Sequence, residues 1–355
     1  MENINILINS LKGGGTEKVC SLLASYLSDS GYKVNLYVLD NDGNDYPVSC
    51  NVNVKYLGKS SSIRSFPVLA KLLRTEKINK ILVFNHELSL VLFFIKKLYS
   101  LDFKIISRIN NTLSKTIVFK SLKYKFVVGG LMKLFYKKMD FFIFQSNGIK
   151  LDMISNYGVK DNYSIINNPI VTSNYTGESK KDKDIDILYV GRLVEQKNVK
   201  DILHVVSSLA KKGKEYKLSI VGDGPKRNEL ERYCKLNSLE QQVTFWGHQS
   251  NIDEFYHRAK LTVLTSHNEG FPNVLVESLS YGVPIVSYDC PSGPSDIIIS
   301  GKNGVLVEHL NVIDFEQAVD YSLNHSWDEN EILDTTRKFD VDFIARQYQN
   351  VIKNV

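Results

Sequence analysis

Short runs of consecutive apolar residues alternate with longer stretches of helical periodicity along most of the chain. In the first half, segments 4–8, 34–39, 81–84, 104–107 and 141–145 are β-branched or aromatic. Each ends at polar residues or glycine, which predicts strands. Segments of helical length, such as 17–28, lie between them. Strands that are apolar throughout, rather than at alternate positions, belong to a sheet covered on both faces. The resulting βαβ order predicts a doubly wound parallel sheet. A polar stretch opened by Asn167-Asn168-Pro169 and running to Asp184 interrupts the pattern and predicts a linker. The pattern then restarts, with strands expected at 185–190, 217–221, 243–246, 261–265, 284–287 and 304–307. Near the end, Phe343, Ile344, Tyr348, Val351 and Ile352 fall at helical spacing.

The organisation expected is therefore α/β, with two Rossmann-like doubly wound domains at 1–168 and 169–338, followed by a helical segment 339–355. Two open parallel sheets facing across a cleft would place ligands at their carboxyl edges, so candidate site residues should follow strands.

Composition narrows the class. A chain of 355 residues exceeds one comfortable core, and its 43% hydrophobic and 23% charged residues are ordinary for a globular protein. The net charge of +5 is small for this length and argues against a dedicated nucleic-acid binder. Cys20, Cys50, Cys234 and Cys290 are scattered, without metal-ligand or disulfide-framework spacing, which fits a reducing cytoplasmic compartment. The N-terminus lacks the basic and apolar regions of a signal peptide. The longest apolar run, 88–95, stops at Lys96-Lys97 and falls short of the ~20 residues a membrane span needs.

The segment from Ser266 through Glu269-Gly270-Phe271-Pro272-Asn273 to Glu277 carries the most chemistry. One carboxylate sits on a Gly/Pro-bent loop and the second follows on the helix that the loop enters. Backbone N–H groups at a helix start form an anion seat, and flanking carboxylates accept hydrogen bonds from hydroxyls. A diphosphate with hydroxylated rings at both ends, which is a nucleotide sugar, has the matching shape. Gly191-Arg192 and Lys197 follow the first strand of the second half; Arg192 offers a planar fork and Lys197 a point charge for phosphate oxygens. The bland alternative is a surface pair of Arg192 with Glu195, worth ~0–1 kcal/mol.

In the first half, Gly13-Gly14-Gly15-Thr16-Glu17 lies between a strand and a helix. It does not complete the dinucleotide pattern, because position 18 is Lys. It is either a phosphate-approaching loop or a plain turn with Thr16 as the helix cap. His86, Arg108, Asn110 and Asn111 follow strands and are candidates to receive hydroxyls, although a lone His is more often structural. His248, after a strand, and Ser295, in the Pro291–Asp296 loop, are further candidates. Val221-Gly222-Asp223-Gly224-Pro225 reads as a turn. Asp40-Asn41-Asp42 and Asp184-Ile185-Asp186 match a short Asp-x-Asp metal pattern that arises often by chance, and neither reads as a metal site.

From 104 to 138 nine basic residues (Lys104, Arg108, Lys115, Lys120, Lys123, Lys125, Lys133, Lys137 and Lys138) occur without an Asp or Glu, interleaved with aliphatic and aromatic residues. Such a surface suits an anionic bilayer; the alternative is a set of helices with solvated lysines over a core face.

Taken in order, Gly13–Glu17, Gly191-Arg192-Leu193 with Lys197, and the Glu-x7-Glu arrangement Glu269–Glu277 resemble the retaining glycosyltransferase family 4, which has the GT-B fold. The resemblance covers nearly the whole chain. It implies that the second domain binds a nucleotide-diphosphate sugar, with UDP the expected carrier. Glu277 would bond the ribose. Glu269, with the backbone of Gly270, Phe271, Asn273 and Val274, would hold sugar hydroxyls, and Arg192 and Lys197 would stabilise the departing diphosphate. The Gly14-Gly15 loop would close over the diphosphate, and the C-terminal helix would pack back on the first domain. Neither cofactor nor metal is implied, because protein cations take the metal's place.

The chain departs from the family where many relatives carry a His at the end of a first-domain strand: Ser107-Arg108-Ile109 has none. Asp296 likewise replaces the Glu of a common Gly-Pro-x-Glu segment. The expected activity is transfer of a hexose or N-acetylhexosamine to a glycan or lipid-linked oligosaccharide, as in bacterial surface-polysaccharide assembly, peripherally at the inner face of the cell membrane. The alternatives are a nucleotide-sugar epimerase of the same fold and a non-catalytic nucleotide-sugar- or glycan-binding subunit.

Overall fold

The computed structural model describes residues 3–119, 121–171 and 183–355. The chain divides into two compact units, Met1–Val171 with Phe339–Val355 and Thr172–Lys338.

The first unit is built on β1 (Asn3–Ile8), β2 (Lys33–Val38), β3 (Asn53–Tyr56), β4 (Lys80–Val83), β5 (Lys104–Ile109), β6 (Phe141–Phe144) and β7 (Tyr163–Ile165). They form one parallel sheet in the order β3-β2-β1-β4-β5-β6-β7. The apolar runs have the expected continuous burial: Ile6, Leu7, Ile81, Ile105, Ile106, Phe142 and Ile143 are all inaccessible to solvent. Two strands were not legible as apolar runs. β3 is a largely exposed, polar edge, and β7 at the other edge has three half-buried residues.

The second unit contains β8 (Ile185–Val190), β9 (Leu218–Val221), β10 (Val243–Gly247), β11 (Ala259–Leu264), β12 (Ile285–Tyr288) and β13 (Gly304–Val307), all parallel, in the order β10-β9-β8-β11-β12-β13. In both sheets the order runs outward from the first strand and then resumes on its other side. The reversal falls between β1 and β4 in one unit and between β8 and β11 in the other. Helices depart to opposite faces there, which opens a crevice at the carboxyl edge where such folds bind ligands.

The C-terminal helix Val341–Asn354 belongs to the first unit, where Ile344, Ala345, Tyr348, Val351 and Ile352 join the core formed with Val19, Cys20 and Leu23 of the helix Gly15–Asp29. Phe343, expected on that face, is 52% exposed; the buried stripe begins one residue later. Lys80 donates from Nζ to the carbonyls of Ile352 (2.6 Å) and Lys353 (3.0 Å), capping the negative end of the helix.

The linker expected from Asn167 starts too early. Asn167 donates to the Gln145 carbonyl, Asn168 is buried, and Ile170 exchanges backbone bonds with Phe339 and Val341. These polar residues satisfy buried groups instead of facing solvent. The expected linker positions 172–182 lie outside the described residues.

Candidate functional site

The switch point of the second unit gathers the loops that follow β8 and β11. After β8 the chain makes a short 3-10 turn, Glu195–Lys197, then bends at Asn198, which has φ 47° and ψ 43°. Asn is among the few residues that tolerate this left-handed region. The side chain of Asn198 bonds Asp201, which also receives the Tyr288 hydroxyl. The turn delivers Lys197 to Glu269: Nζ lies 2.6 Å from Oε1, with the two side chains 16% and 9% exposed. The two loops are also joined through main chain. His267 N–H donates to the Gln196 carbonyl (2.8 Å), and Gln196 Nε2 donates to the Asn268 carbonyl (2.7 Å).

The charge of Glu269 is felt around it. Burial, and then the Glu269 carboxylate, push the Tyr189 hydroxyl and the Cys290 thiol well above their ordinary values, while Lys197 partly offsets the shift at Cys290. Both groups therefore stay protonated, and the buried charge is carried by the Lys–Glu pair.

From Glu269 the loop passes Gly270 and the buried Phe271 and enters the helix Asn273–Ser280 at its N-cap Pro272. Asn273 and Val274 open the helix, and Glu277 lies half-buried on its second turn. The buried Tyr256 hydroxyl donates to Glu277 Oε2 (3.3 Å), and its ring stacks on Tyr281 at 5.4 Å. Burial, then Glu277, raises the Tyr256 hydroxyl far above its usual range, so it remains a donor.

Close packing of glycine fixes these loops. A Cβ on Gly222 would lie 2.0 Å from the Gly191 carbonyl oxygen, and one on Gly224 would lie 2.4 Å from that of Leu193. The turn after β9, which read as bland, thus presses directly on the loop carrying Arg192. On the other side, Ser292 Oγ donates to the Gly270 carbonyl (3.0 Å), and a Cβ on Gly293 would meet Pro272 at 2.5 Å.

Arg192 is exposed, and its carbonyl accepts the Tyr189 hydroxyl (3.1 Å). The surface pair suggested for Arg192 with Glu195 is not the one formed: Glu195 bonds Lys226 at 2.6 Å. His248 and Ser295 are exposed, at the end of β10 and in the helix Pro294–Ile297. Asp184 and Asp186 are ion-paired with Arg258 and Lys260.

In the first unit, the Gly13–Gly15 loop and His86 follow β1 and β4, the strands flanking its switch point. The cap of the first helix is Gly14, in extended conformation, and Thr16 sits within the first turn. His86 opens the helix His86–Leu98, and its Nε2 lies 3.0 Å from the Tyr124 hydroxyl. Arg108 is not a hydroxyl-facing group. It is 1% exposed, donates from Nε to the Tyr348 hydroxyl (2.8 Å), bonds the side-chain oxygens of Asn110 and Asn168, and lies 4.7 Å over the Phe84 ring. Asn110 in turn donates to the Phe84 carbonyl (2.7 Å). Asn111 is exposed. Arg108 and Asn110 thus knit β5 to the C-terminal helix.

Residues that position the site and were given no role from the sequence are Gln196 and Tyr256; Ser292, in the Pro291–Asp296 loop, joins them through its bond to the Gly270 carbonyl. A further one is His309 after β13, whose Nε2 is buried without a partner and whose ring centroid lies 6.4 Å from that of His267.

Two family models match the chain in tandem: Glycosyltransferase Family 4 over residues 13–174 and Glycosyl transferases group 1 over residues 172–339. The chain is 28% identical over 310 residues to the amylovoran biosynthesis glycosyltransferase AmsD of Erwinia amylovora, covering 84% of each. It is also 28% identical over 323 residues to a Campylobacter jejuni N-acetylgalactosaminyltransferase named for a diphospho-undecaprenol-linked substrate, covering 87% of this chain and 86% of that one. Among solved structures, HepE of Anabaena in complex with UDP superposes with a TM-score of 0.78 at 16% identity over 100% of both chains.

Proposed function

Because the chain belongs to the family-4 glycosyltransferases of GT-B fold, we propose that it transfers a hexose or N-acetylhexosamine from a UDP-sugar to a lipid-linked glycan, with retention of anomeric configuration, in surface-polysaccharide synthesis. The observation that carries the reading is the buried Lys197–Glu269 pair at the switch point of the second unit, one helical entry away from Glu277.

The chemistry follows from those groups. Glu269 holds the Lys197 ammonium in one orientation before donor arrives, so little reorganisation remains when negative charge develops on the leaving diphosphate. Arg192, exposed on the same loop, adds a bidentate donor for phosphate oxygens. The N–H groups at the start of Asn273–Ser280 add the positive end of a helix dipole. Glu269 accepts from sugar hydroxyls, and Glu277, steadied by Tyr256, accepts from the ribose. Lys197 and Arg192 do the work a divalent metal does in other transferases, so the reaction proceeds without one. The acceptor is met at an anionic membrane surface, from the cytoplasmic side.

The reading supports a direct test. A panel of nucleotide sugars should raise the melting temperature for UDP-sugars first, since a ligand at ~100 times its Kd stabilises by ~2.7 kcal/mol. Nucleotide release should then depend on a lipid-linked acceptor. A panel with no stabilising nucleotide sugar would overturn the proposal.

A further inference from the structure

We infer that residues 113–119 and 121–138 form a docking surface for an anionic lipid bilayer, inserted through Leu122, Phe126, Val127 and Leu134 and ringed by lysines. The inference rests on the reading of a lipid-linked acceptor and adds the surface by which the protein reaches it.

The segment is a chain of short helical pieces: Leu113–Thr116, Ile117–Phe119, Leu122–Tyr124, a π-turn Lys125–Gly129, Gly130–Phe135 and Tyr136–Lys138. One face belongs to the core of the first unit, with Leu113, Met132 and Tyr136 buried and Val128, Leu131 and Phe135 packed beside them. That face already satisfies the burial an amphipathic helix requires, so the opposite face should be polar. It is not: Leu122 is 71% exposed, Phe126 81%, Val127 52%, Leu134 60% and Val118 61%.

Lysines surround these side chains. Lys115, Lys123, Lys133, Lys137 and Lys138 are exposed and Lys125 is half-buried, while the sequence has no carboxylate between 104 and 138. Two cations counted from the sequence do not contribute, because Arg108 is buried and Lys104 pairs with Asp140 at 3.7 Å. Lys120 lies outside the described residues. Protein–protein interfaces are depleted of lysine, whereas protruding apolar side chains set among lysines match an acyl boundary under anionic headgroups.

The surface is also fastened to the place where an acceptor is needed. Tyr124, between Leu122 and Phe126, donates to Glu87 Oε1 (2.7 Å) and leaves His86 Nε2 to donate to its oxygen (3.0 Å). Tyr136 donates to the His86 carbonyl (2.7 Å). A lipid-linked glycan rising from the leaflet beside Phe126 therefore meets the carboxyl edge of β4.

The test is sedimentation of the full chain with phosphatidylcholine vesicles, with and without phosphatidylglycerol. The expected result is partition that requires phosphatidylglycerol, falls with added salt, and drops at least tenfold in Leu122→Ser/Phe126→Ser and in Lys123→Gln/Lys133→Gln. Melting and UDP-sugar binding of both variants should remain those of the parent. Partition indifferent to phosphatidylglycerol, or unchanged in the serine variant, would overturn the inference, as would lipid-independent self-association lost in that variant. Absence of UDP-sugar binding in parent and variants alike would instead sink the transferase reading and leave the vesicle result standing.

Discussion

Lys197 and Glu269, 72 residues apart, form a 2.6 Å ion pair across the ends of the adjacent strands β8 and β11, with both side chains largely out of water. Removing one member strands the other's charge, whereas removing both does not. Lys197→Met and Glu269→Gln should each destabilise the second unit by ~3 kcal/mol in urea unfolding. The double variant should recover most of that loss. Transfer should fall ~10²-fold or more in all three. Recovered activity in the double variant would show that the pair is only structural.

Glu277 shares its load with Tyr256 differently. It is half-buried and accepts a neutral donor, so Glu277→Gln should melt within a few degrees of the parent. Its cost should appear in KM for the nucleotide sugar, raised ~10-fold or more for the loss of a charged hydrogen bond. A kcat loss at unchanged KM would contradict a ribose-binding role.

Gly222 has no room for a methyl group beside the Gly191 carbonyl. Gly222→Ala must therefore displace the Arg192 loop, costing ~1–3 kcal/mol of stability and weakening donor binding together. Calorimetric titration with UDP checks the second effect, and unaltered affinity would show that the loop after β8 does not touch the nucleotide.

His309 provides a pH dependence. Burial, and then the neighbouring His267, lower its pKa below the ordinary 6.5. The folded state thus holds fewer protons than the unfolded one just below that value. The associated stability is fully present above pH ~6.5 and is lost as pH falls through the lowered value. The melting temperature should drop less between pH 7.5 and 5.5 in His309→Asn than in the parent, and an equal drop in both would refute the assignment.

Much of the architecture was legible because buried parallel strands write themselves as apolar runs; β8 and β13 coincide with the expected segments. The edge strand β3 was not, since Asn53–Tyr56 is mostly solvated and carries no such run. Lys197, Glu269 and Glu277 could be placed near a strand edge by local pattern. The fate of Arg108 could not, because the residue that claims its guanidinium, Tyr348, is 240 positions away. Tyr256 was invisible for the same reason: an aromatic on a short helix announces burial, not which carboxylate its hydroxyl will meet.

The Arg108–Tyr348 bond also sets an order of events during synthesis. The first unit contains the N-terminal sheet but takes its closing helix from residues 341–354, which are translated after the whole of the second unit. On the ribosome the second unit has its full complement of strands while the first still exposes Val19, Cys20 and Leu23, so the half translated first is the half completed last. Loss of the helix Val341–Asn354 would then wound the distant N-terminal sheet and spare the sequence immediately upstream.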